Sequence, residues 1–204
     1  PGPSGFEAAP ARLWREEATA FADDVRSDVH GNCYATLNGA GSPRVMFAGH
    51  LDEIGLMVVH VDEEGFLSFA GIGGWDPQVF VGQRVTMLGH AGPVHGVIGK
   101  KAIHLMEKDD REKVSKVEDL WVDIGARNRK EALARVRVGD PGVLTSNVLR
   151  LPNGRLSSRS LDNRIGAYVV LRFGAPAGTW PIPHDVHVKE WIGALNTFVL
   201  ICSS

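Results

Sequence analysis

Arg44 to Asp52 read Arg-Val-Met-Phe-Ala-Gly-His-Leu-Asp, an apolar run that ends in Gly-His-x-Asp. The run from Val45 to Ala48 predicts a buried strand, and His50 and Asp52 follow at its carboxyl end. Because side chains on a strand alternate between two faces, these two point to the same side, where the carboxylate can hold the imidazole. A metal-binding histidine needs such a partner at its second ring nitrogen. The segment therefore predicts a metal ligand at position 50.

The His-x-Asp pattern is short, and a chain of this composition is expected to contain roughly 0.5 matches to it by chance. A second match does occur as His60-Val61-Asp62, at the end of a strand predicted for Ile54 to Val61. We interpret that second match as an exposed strand end. His50 differs through its context, because ligands in open α/β sheets bind beyond the carboxyl ends of the strands.

The composition of the whole chain narrows the class of protein. Its 204 residues can bury a core in one large or two small domains, with 44% hydrophobic and 23% charged residues, as in soluble globular proteins. The formal net charge of −2, without a basic stripe, predicts no nucleic-acid partner. The lack of an apolar run of about 20 residues predicts no membrane partner. Cys33 and Cys202 are far apart, which favours a reducing, cytoplasmic compartment.

The segments before the motif predict a helix and a hairpin. Ser4-Gly5-Phe6-Glu7 has the Ser-x-x-Glu spacing of a capping box, and apolar residues follow at helical intervals. We therefore predict a helix from about residue 6 to residue 21. Residues 25–37, interrupted at His30-Gly31-Asn32, predict a hairpin that leads into the motif strand.

The sequence changes character after Asp62, where short β-rich runs alternate with glycines. This spacing predicts a small β-barrel or sandwich inserted into the α/β part. Within the insert, Asn128 is expected to cap a short helix, and Gly73-Gly74-Trp75-Asp76 to form a turn with a packing tryptophan. The predicted organisation is 1–62 for the first part of the α/β domain, 63–156 for the β-rich domain and 157–204 for the second α/β part.

Asp162 lies at the start of a helix predicted from the spacing of Ile165, Tyr168, Val169 and Arg172. As an N-terminal cap, its carboxylate would accept hydrogen bonds from free amides and suit the helix dipole. The same carboxylate could instead bridge two cations. Both roles remain open from the residues alone, and capping is the simpler of the two.

Two other classes of enzyme lack their motifs in this sequence. Gly92 to Lys101 is glycine-rich, but the P-loop needs glycine at position 94 and serine or threonine at position 101. A Gly-x-Ser-x-Gly nucleophile elbow is absent, so no motif in the sequence indicates a serine hydrolase. His90, His95 and His104 lie in the β-rich insert, where we interpret them as surface residues.

Taken together, the segments resemble the M42 family of metallo-aminopeptidases, which includes tetrahedral-assembling glutamyl and deblocking aminopeptidases, some of them labelled endoglucanases. The resemblance rests on separated blocks that occur in the family's order. These blocks are Pro3-Ser4-Gly5-Phe6-Glu7, Gly49-His50-Leu51-Asp52-Glu53-Ile54-Gly55, Gly71-Ile72-Gly73-Gly74-Trp75-Asp76-Pro77, Gly96-Val97-Ile98-Gly99, Val117-Glu118-Asp119-Leu120, Asp123-Ile124-Gly125-Ala126 and Leu161-Asp162-Asn163-Arg164.

The resemblance implies a peptidase-type mixed α/β sheet with helices, interrupted by a β-barrel-like dimerisation domain. It implies a cytoplasmic homo-oligomer, a dimer that builds a dodecamer, and peptide substrates that lose their N-terminal residues. It also implies two divalent ions, Zn²⁺ or Co²⁺, that activate a water. By position, His50 matches a metal ligand, Asp162 the aspartate that bridges both metals, and Asp52 the catalytic carboxylate that orients the histidine.

The chain departs from the family towards its end. Family members are longer, and after a strand like His184 to Val188 they carry a Glu-Glu pair that supplies the general base and a further ligand. Here Lys189-Glu190-Trp191 follows. Glu190 could be aligned with the base, but the connecting strand is then too short and Trp191 occupies the place of the ligand. His184 and His187 would face opposite sides of a strand. The resemblance fades after about Arg172, so we expect a truncated or frame-altered form.

Two of the family's five ligands are thus present, whereas a catalytic zinc site needs at least three protein ligands. We therefore expect weak or absent metal binding in this chain. Two functions are compatible with this expectation. One is an incomplete metallo-aminopeptidase, and the other is a catalytically inactive assembly or dimerisation module derived from the same family.

Overall fold

The structure is a computed structural model that describes residues 1–174, without the side chain of Asp110. In this range, no helix is long and apolar enough to cross a membrane. The elements in chain order are α1 (Ala8–Thr19), β1 (Asp24–Ser27), β2 (Cys33–Thr36), β3 (Gly55–Val61), β4 (Leu67–Ile72), β5 (Arg84–Gly89), β6 (Gly92–Lys100), β7 (Leu120–Asp123), α2 (Arg129–Leu133), β8 (Pro141–Leu144), β9 (Leu149–Leu151), β10 (Arg155–Ser157) and α3 (Leu161–Gly174).

The chain forms two compact units, and the first is a barrel unit of residues Glu53–Asn147 with Pro1 and Pro3. Six antiparallel strands close the barrel in the order β3-β4-β7-β6-β5-β8. Alternate residues of these strands point inwards, as the pleat requires. The predicted β-barrel is confirmed, and with the helices and small sheets so is the mixed α/β class. The largest fully buried side chains of this core are Phe80, Leu56, Leu67, Met87 and Ile98.

The barrel unit starts and ends about ten residues earlier than the predicted 63–156 range. Strand β3 accounts for the first difference, because it pairs with β4 along its length and with β8 at Leu56 and Met57. Without β3 the barrel would stay open between β4 and β8. At the other end, β9 and β10 form a hairpin that belongs to the second unit.

Two local predictions for the insert are confirmed. The Asn128 side chain accepts a hydrogen bond from the Glu131 amide at 3.0 Å and caps α2. The Trp75 ring lies 4.7 Å from the Phe80 ring, and its indole N–H donates to the Gly55 carbonyl at 2.8 Å. Trp75 thus packs on the barrel core, as predicted, in the segment that bends at Gly73 after β4.

Among the described residues, the second unit contains Gly2, Ser4–Asp52 and residues 148–174. Its small core forms where α1 packs on α3, because Trp14 and Ala18 are buried against Ala167. The Trp14 indole N–H donates to the Ala167 carbonyl at 3.2 Å. The predicted first helix is confirmed as α1, and the predicted hairpin as the antiparallel pair β1 and β2.

The predicted capping box of α1 is wrong. Glu7 occupies the N-cap position without a side-chain cap, and its carboxylate accepts from the Gly5 amide at 2.6 Å. The Ser4 hydroxyl, which the pattern placed at the helix start, donates instead to the Asp52 carboxylate. A long-range partner has therefore displaced the local one.

The strand predicted just before the motif is also wrong. Residues 44–51 join no strand ladder within the described part of the chain. Val45 and Met46 are 69% and 76% exposed, although the sequence predicted burial. A strand forms only when a neighbour satisfies its amides and carbonyls, and residues 1–174 pair no strand with this segment.

Asp28 in the β1–β2 loop gives a testable pH dependence. The Asn32 side-chain amide donates to this carboxylate at 2.8 Å, and the Tyr34 hydroxyl at 3.0 Å. The Asn32 bond is the largest of the causes that lower the pKa of Asp28 from 3.8 to about 2. Because the folded pKa lies below the unfolded one, the carboxylate contributes stability above about pH 4 that is lost as pH falls towards 2.

We expect an NMR titration of the Asp28 carboxyl to give a midpoint near pH 2. Replacing Asn32 with alanine should move that midpoint upwards, because the largest stabilising bond is removed. A midpoint near 4 in the unmodified chain would contradict the described loop.

Candidate metal site

The three residues that the sequence singled out lie together in the second unit. His50 stands between two carboxylates, with Nδ1 2.7 Å from Asp52 Oδ1 and Nε2 3.3 Å from Asp162 Oδ1. The side chain of Asp162 is 92% exposed, that of His50 53% and that of Asp52 33%. Residues 112 positions apart in the chain thus meet at one imidazole.

The motif loop is held against α3 by its backbone. A Cβ at Gly49 would lie 2.6 Å from the Ala167 nitrogen and 2.7 Å from the Gly166 carbonyl carbon. Only glycine permits this approach, because real Cβ contacts essentially never fall below 3.0 Å. Arg164 Nε donates to the Leu51 carbonyl at 2.8 Å on the other side of His50. These contacts fix the histidine over the start of the helix.

The start of α3 decides between the two roles that the sequence left open for Asp162. Asp162 and Asn163 both have non-helical backbone angles, and Asn163 Oδ1 accepts from the Gly166 amide at 3.0 Å. Asn163 is therefore the residue that caps the helix. The capping role considered for Asp162 is wrong, and its carboxylate faces His50 instead.

Asp52 is the least exposed residue of the group. Partial burial is the largest influence and raises the pKa of Asp52, but hydrogen bonds from Ser4 and His50 and the attraction to the imidazole outweigh it. The net pKa of Asp52 therefore lies below its usual value. An ionised carboxylate only accepts hydrogen bonds, so it selects the His50 tautomer with the proton on Nδ1.

In the neutral Nδ1–H form of His50, the lone pair of Nε2 is directed towards the Asp162 carboxylate. Two acceptors face each other across 3.3 Å, an arrangement that a cation between them stabilises. A tetrahedral zinc ion with bonds of about 2.0–2.2 Å places neighbouring ligand atoms about 3.4 Å apart. The imidazole and carboxylate donors therefore fit one shared divalent ion. Residues 1–174 contain no group of three or more His, Cys, Asp or Glu side chains placed to hold an ion.

The second His-x-Asp match has a different environment. The Asp62 carboxylate accepts from the Phe66 amide at 2.7 Å, and His60 is an exposed residue of β3, which agrees with their interpretation as a strand end. His184, His187 and Glu190 lie outside the described residues.

Sequence reasoning missed Ser4, Gly49 and Asn163 as parts of this site. The signal for Asn163 was available, since asparagine caps helices as well as aspartate does. Gly49 could have been noted as a glycine inside a fixed motif, where close backbone approach is a common reason. No local pattern links Ser4 to Asp52, which lies 48 residues further on.

Comparison with known proteins assigns the chain to a family of hydrolytic enzymes. The sequence profile of the M42 glutamyl aminopeptidase family matches residues 31–189. This chain therefore belongs to the M42 glutamyl aminopeptidase family.

Individual relatives agree with this assignment. The lysyl aminopeptidase of Pyrococcus furiosus is 34% identical over 87% of this chain and 52% of its own length. A TET aminopeptidase from a marine sediment Thaumarchaeota archaeon has a similar structure, with a TM-score of 0.80 and 39% sequence identity. The match covers 84% of this chain and 49% of that aminopeptidase. The TET1 peptidase of Pyrococcus horikoshii is also similar in structure, with a TM-score of 0.76 and 35% sequence identity. The match covers 84% of this chain and 51% of that peptidase. The chain thus spans about half the length of these relatives.

Proposed function

We propose that this chain provides part of the active site of a metal-dependent aminopeptidase that removes N-terminal residues from peptides. The contact of His50 Nε2 with Asp162 Oδ1 at 3.3 Å is the observation that carries this proposal. Both residues lie within the range that matches the M42 family, and the relatives named above are aminopeptidases.

In this function His50 and Asp162 hold a divalent ion, Zn²⁺ or Co²⁺. Such an ion, when bound, polarises the scissile carbonyl and lowers the pKa of a water towards neutrality. Asp52 keeps the His50 proton on Nδ1, so that Nε2 is free to bind the ion. The exposed Asp162 carboxylate has a second oxygen available for a second ion, as a bridging ligand requires.

The alternative is an inactive assembly module. It is favoured by the absence, within residues 1–174, of a third side chain grouped with His50 and Asp162 to hold an ion. Two protein ligands are fewer than the three of a catalytic zinc site, so this alternative goes with weak metal binding.

We further propose that the barrel unit mediates dimerisation in a cytoplasmic homo-oligomer. The Pyrococcus horikoshii TET1 peptidase can assemble into a tetrahedron or a large octahedral shell. In this chain, the barrel unit exposes Val97, Ile103 and Leu105 by 46%, 64% and 62%, which provides apolar surface for a second copy.

The two functions separate in one assay with purified chain and added Co²⁺ or Zn²⁺. The aminopeptidase function predicts release of nitroaniline from aminoacyl-nitroanilides that depends on the metal and disappears in His50→Ala. The matched control His30→Ala changes an exposed histidine of the β1–β2 loop and should keep the activity. Dimers without metal-dependent release would favour the assembly module.

A further inference from the structure

We propose that Ser4 is a positioning residue that sets the orientation of Asp52 and, through it, the tautomer of His50. This inference rests on the proposed function, because Ser4 matters for catalysis only if His50 binds the metal. The underlying chain of contacts runs from the Ser4 hydroxyl to Asp52 Oδ2, and from Asp52 Oδ1 to His50 Nδ1.

The two oxygens of Asp52 have separate partners in this arrangement. Ser4 donates to Oδ2, and His50 faces Oδ1 at 2.7 Å. A carboxylate with one partner can rotate about its Cβ–Cγ bond, whereas two partners on opposite oxygens hold its plane. Ser4 therefore restricts Asp52 to the orientation in which Oδ1 meets the imidazole.

The residues that follow Ser4 are hydrogen-bonded at the start of α1. The Gly5 amide donates to Glu7 Oε1 at 2.6 Å, and the Ala11 amide donates to the Glu7 carbonyl at 2.9 Å. The turn that contains Ser4 is thereby continuous with the first turn of the helix. Trp14 of α1 also bonds to Ala167 of α3, and the contacts with Ser4, through Asp52, and with Asp162 reach His50 at its opposite ring nitrogens.

The geometry gives Ser4 no role as a nucleophile. In a serine hydrolase the hydroxyl bonds to the histidine, and the aspartate bonds to the opposite ring nitrogen. Here the hydroxyl bonds to the aspartate, and the far nitrogen of His50 faces a second carboxylate. Ser4 is therefore a hydrogen-bond donor that acts through Asp52.

The test is ¹⁵N NMR of the His50 ring in the metal-free chain at a pH where the imidazole is neutral. We expect Ser4→Ala to lower the ratio of the Nδ1–H to the Nε2–H form about threefold or more, the effect of losing one net hydrogen bond. Ser4→Thr keeps the hydroxyl and should restore the ratio, whereas its isostere Ser4→Val should not. Ser157→Ala, at an exposed serine of β10, is the matched control.

An unchanged ratio in Ser4→Ala or in Ser4→Val would overturn the proposal. If the alanine variant does not fold, the threonine and valine pair still decides, because these side chains differ only by a hydroxyl in place of a methyl group. The measurement needs neither metal nor turnover. Failure of the proposed aminopeptidase function would therefore appear separately, as absent metal-dependent hydrolysis with the Ser4 effect intact.

Discussion

Replacing Asp162 with alanine is expected to weaken Co²⁺ binding by about 10- to 100-fold or more. Loss of a residue that only contacts a metal ligand already has an effect of this size, and Asp162 is proposed to bind the metal itself. The reason is that Asp162 Oδ1 and His50 Nε2, 3.3 Å apart, face the same position. The same variant should lower any metal-dependent hydrolysis by about 10² or more, since a bound ion contributes several kcal/mol to the transition state. Absorption titration with Co²⁺ and nitroanilide kinetics measure the two effects.

The neighbouring residue provides the matched control for Asp162. Asn163 caps α3 through the Gly166 amide, so Asn163→Ala should lower the free energy of unfolding by about 1 kcal/mol. Asp162→Ala should leave stability nearly unchanged, because that carboxylate does not supply the cap. Equal Co²⁺ affinity in Asp162→Ala and the unmodified chain would contradict the proposed ligand. A stability loss confined to Asp162→Ala would restore its capping role.

Gly49→Ala is expected to lower the free energy of unfolding by about 1–3 kcal/mol, the usual cost of overpacking. The added methyl would meet backbone atoms of Gly166 and Ala167 at 2.7 and 2.6 Å, and backbone atoms cannot turn aside as a flexible side chain can. The motif loop must therefore move away from α3, and His50 separates from Asp162 as it does so. Urea unfolding gives the stability, and Co²⁺ titration gives the effect on the site.

Gly74→Ala is the control for that substitution. A Cβ at Gly74 meets no atom within 4 Å, so the same chemical change adds no contact there. We expect wild-type stability and metal binding in this variant. Comparable destabilisation in both alanine variants would indicate a general effect of losing glycine, and it would contradict the role of the close contact at Gly49.

Much of the local structure followed from patterns that need only neighbouring residues. Helical spacing predicted α1 and α3, and the glycine-punctuated β runs predicted the barrel. The predicted contact between His50 and Asp52 is found at 2.7 Å, although the strand whose alternation predicted it does not form. Such predictions succeed because hydrogen bonds and side-chain directions repeat over a few residues. Family resemblance then indicated that Asp162 belongs with His50.

Predictions failed where a local pattern allowed more than one arrangement. Ser4 could cap α1 or bind Asp52, and the tertiary structure brought Asp52 within reach. Asp162 or Asn163 could cap α3, and the backbone at the helix start gave the cap to Asn163. The run from Val45 to Ala48 had the composition of a strand, but a strand also requires a neighbour.

The sequence by itself determined most of the elements, the barrel and the residue types of the site, since these depend on spacing and composition. Only the tertiary structure decided that Gly49 lies against the backbone of α3, that Asp162 faces the imidazole and that Ser4 holds Asp52. The physical reason is the separation of the contacting residues along the sequence. Each of these contacts joins residues 48 or more positions apart, and such pairs meet only after the packing of α1 and α3 has fixed where their loops lie.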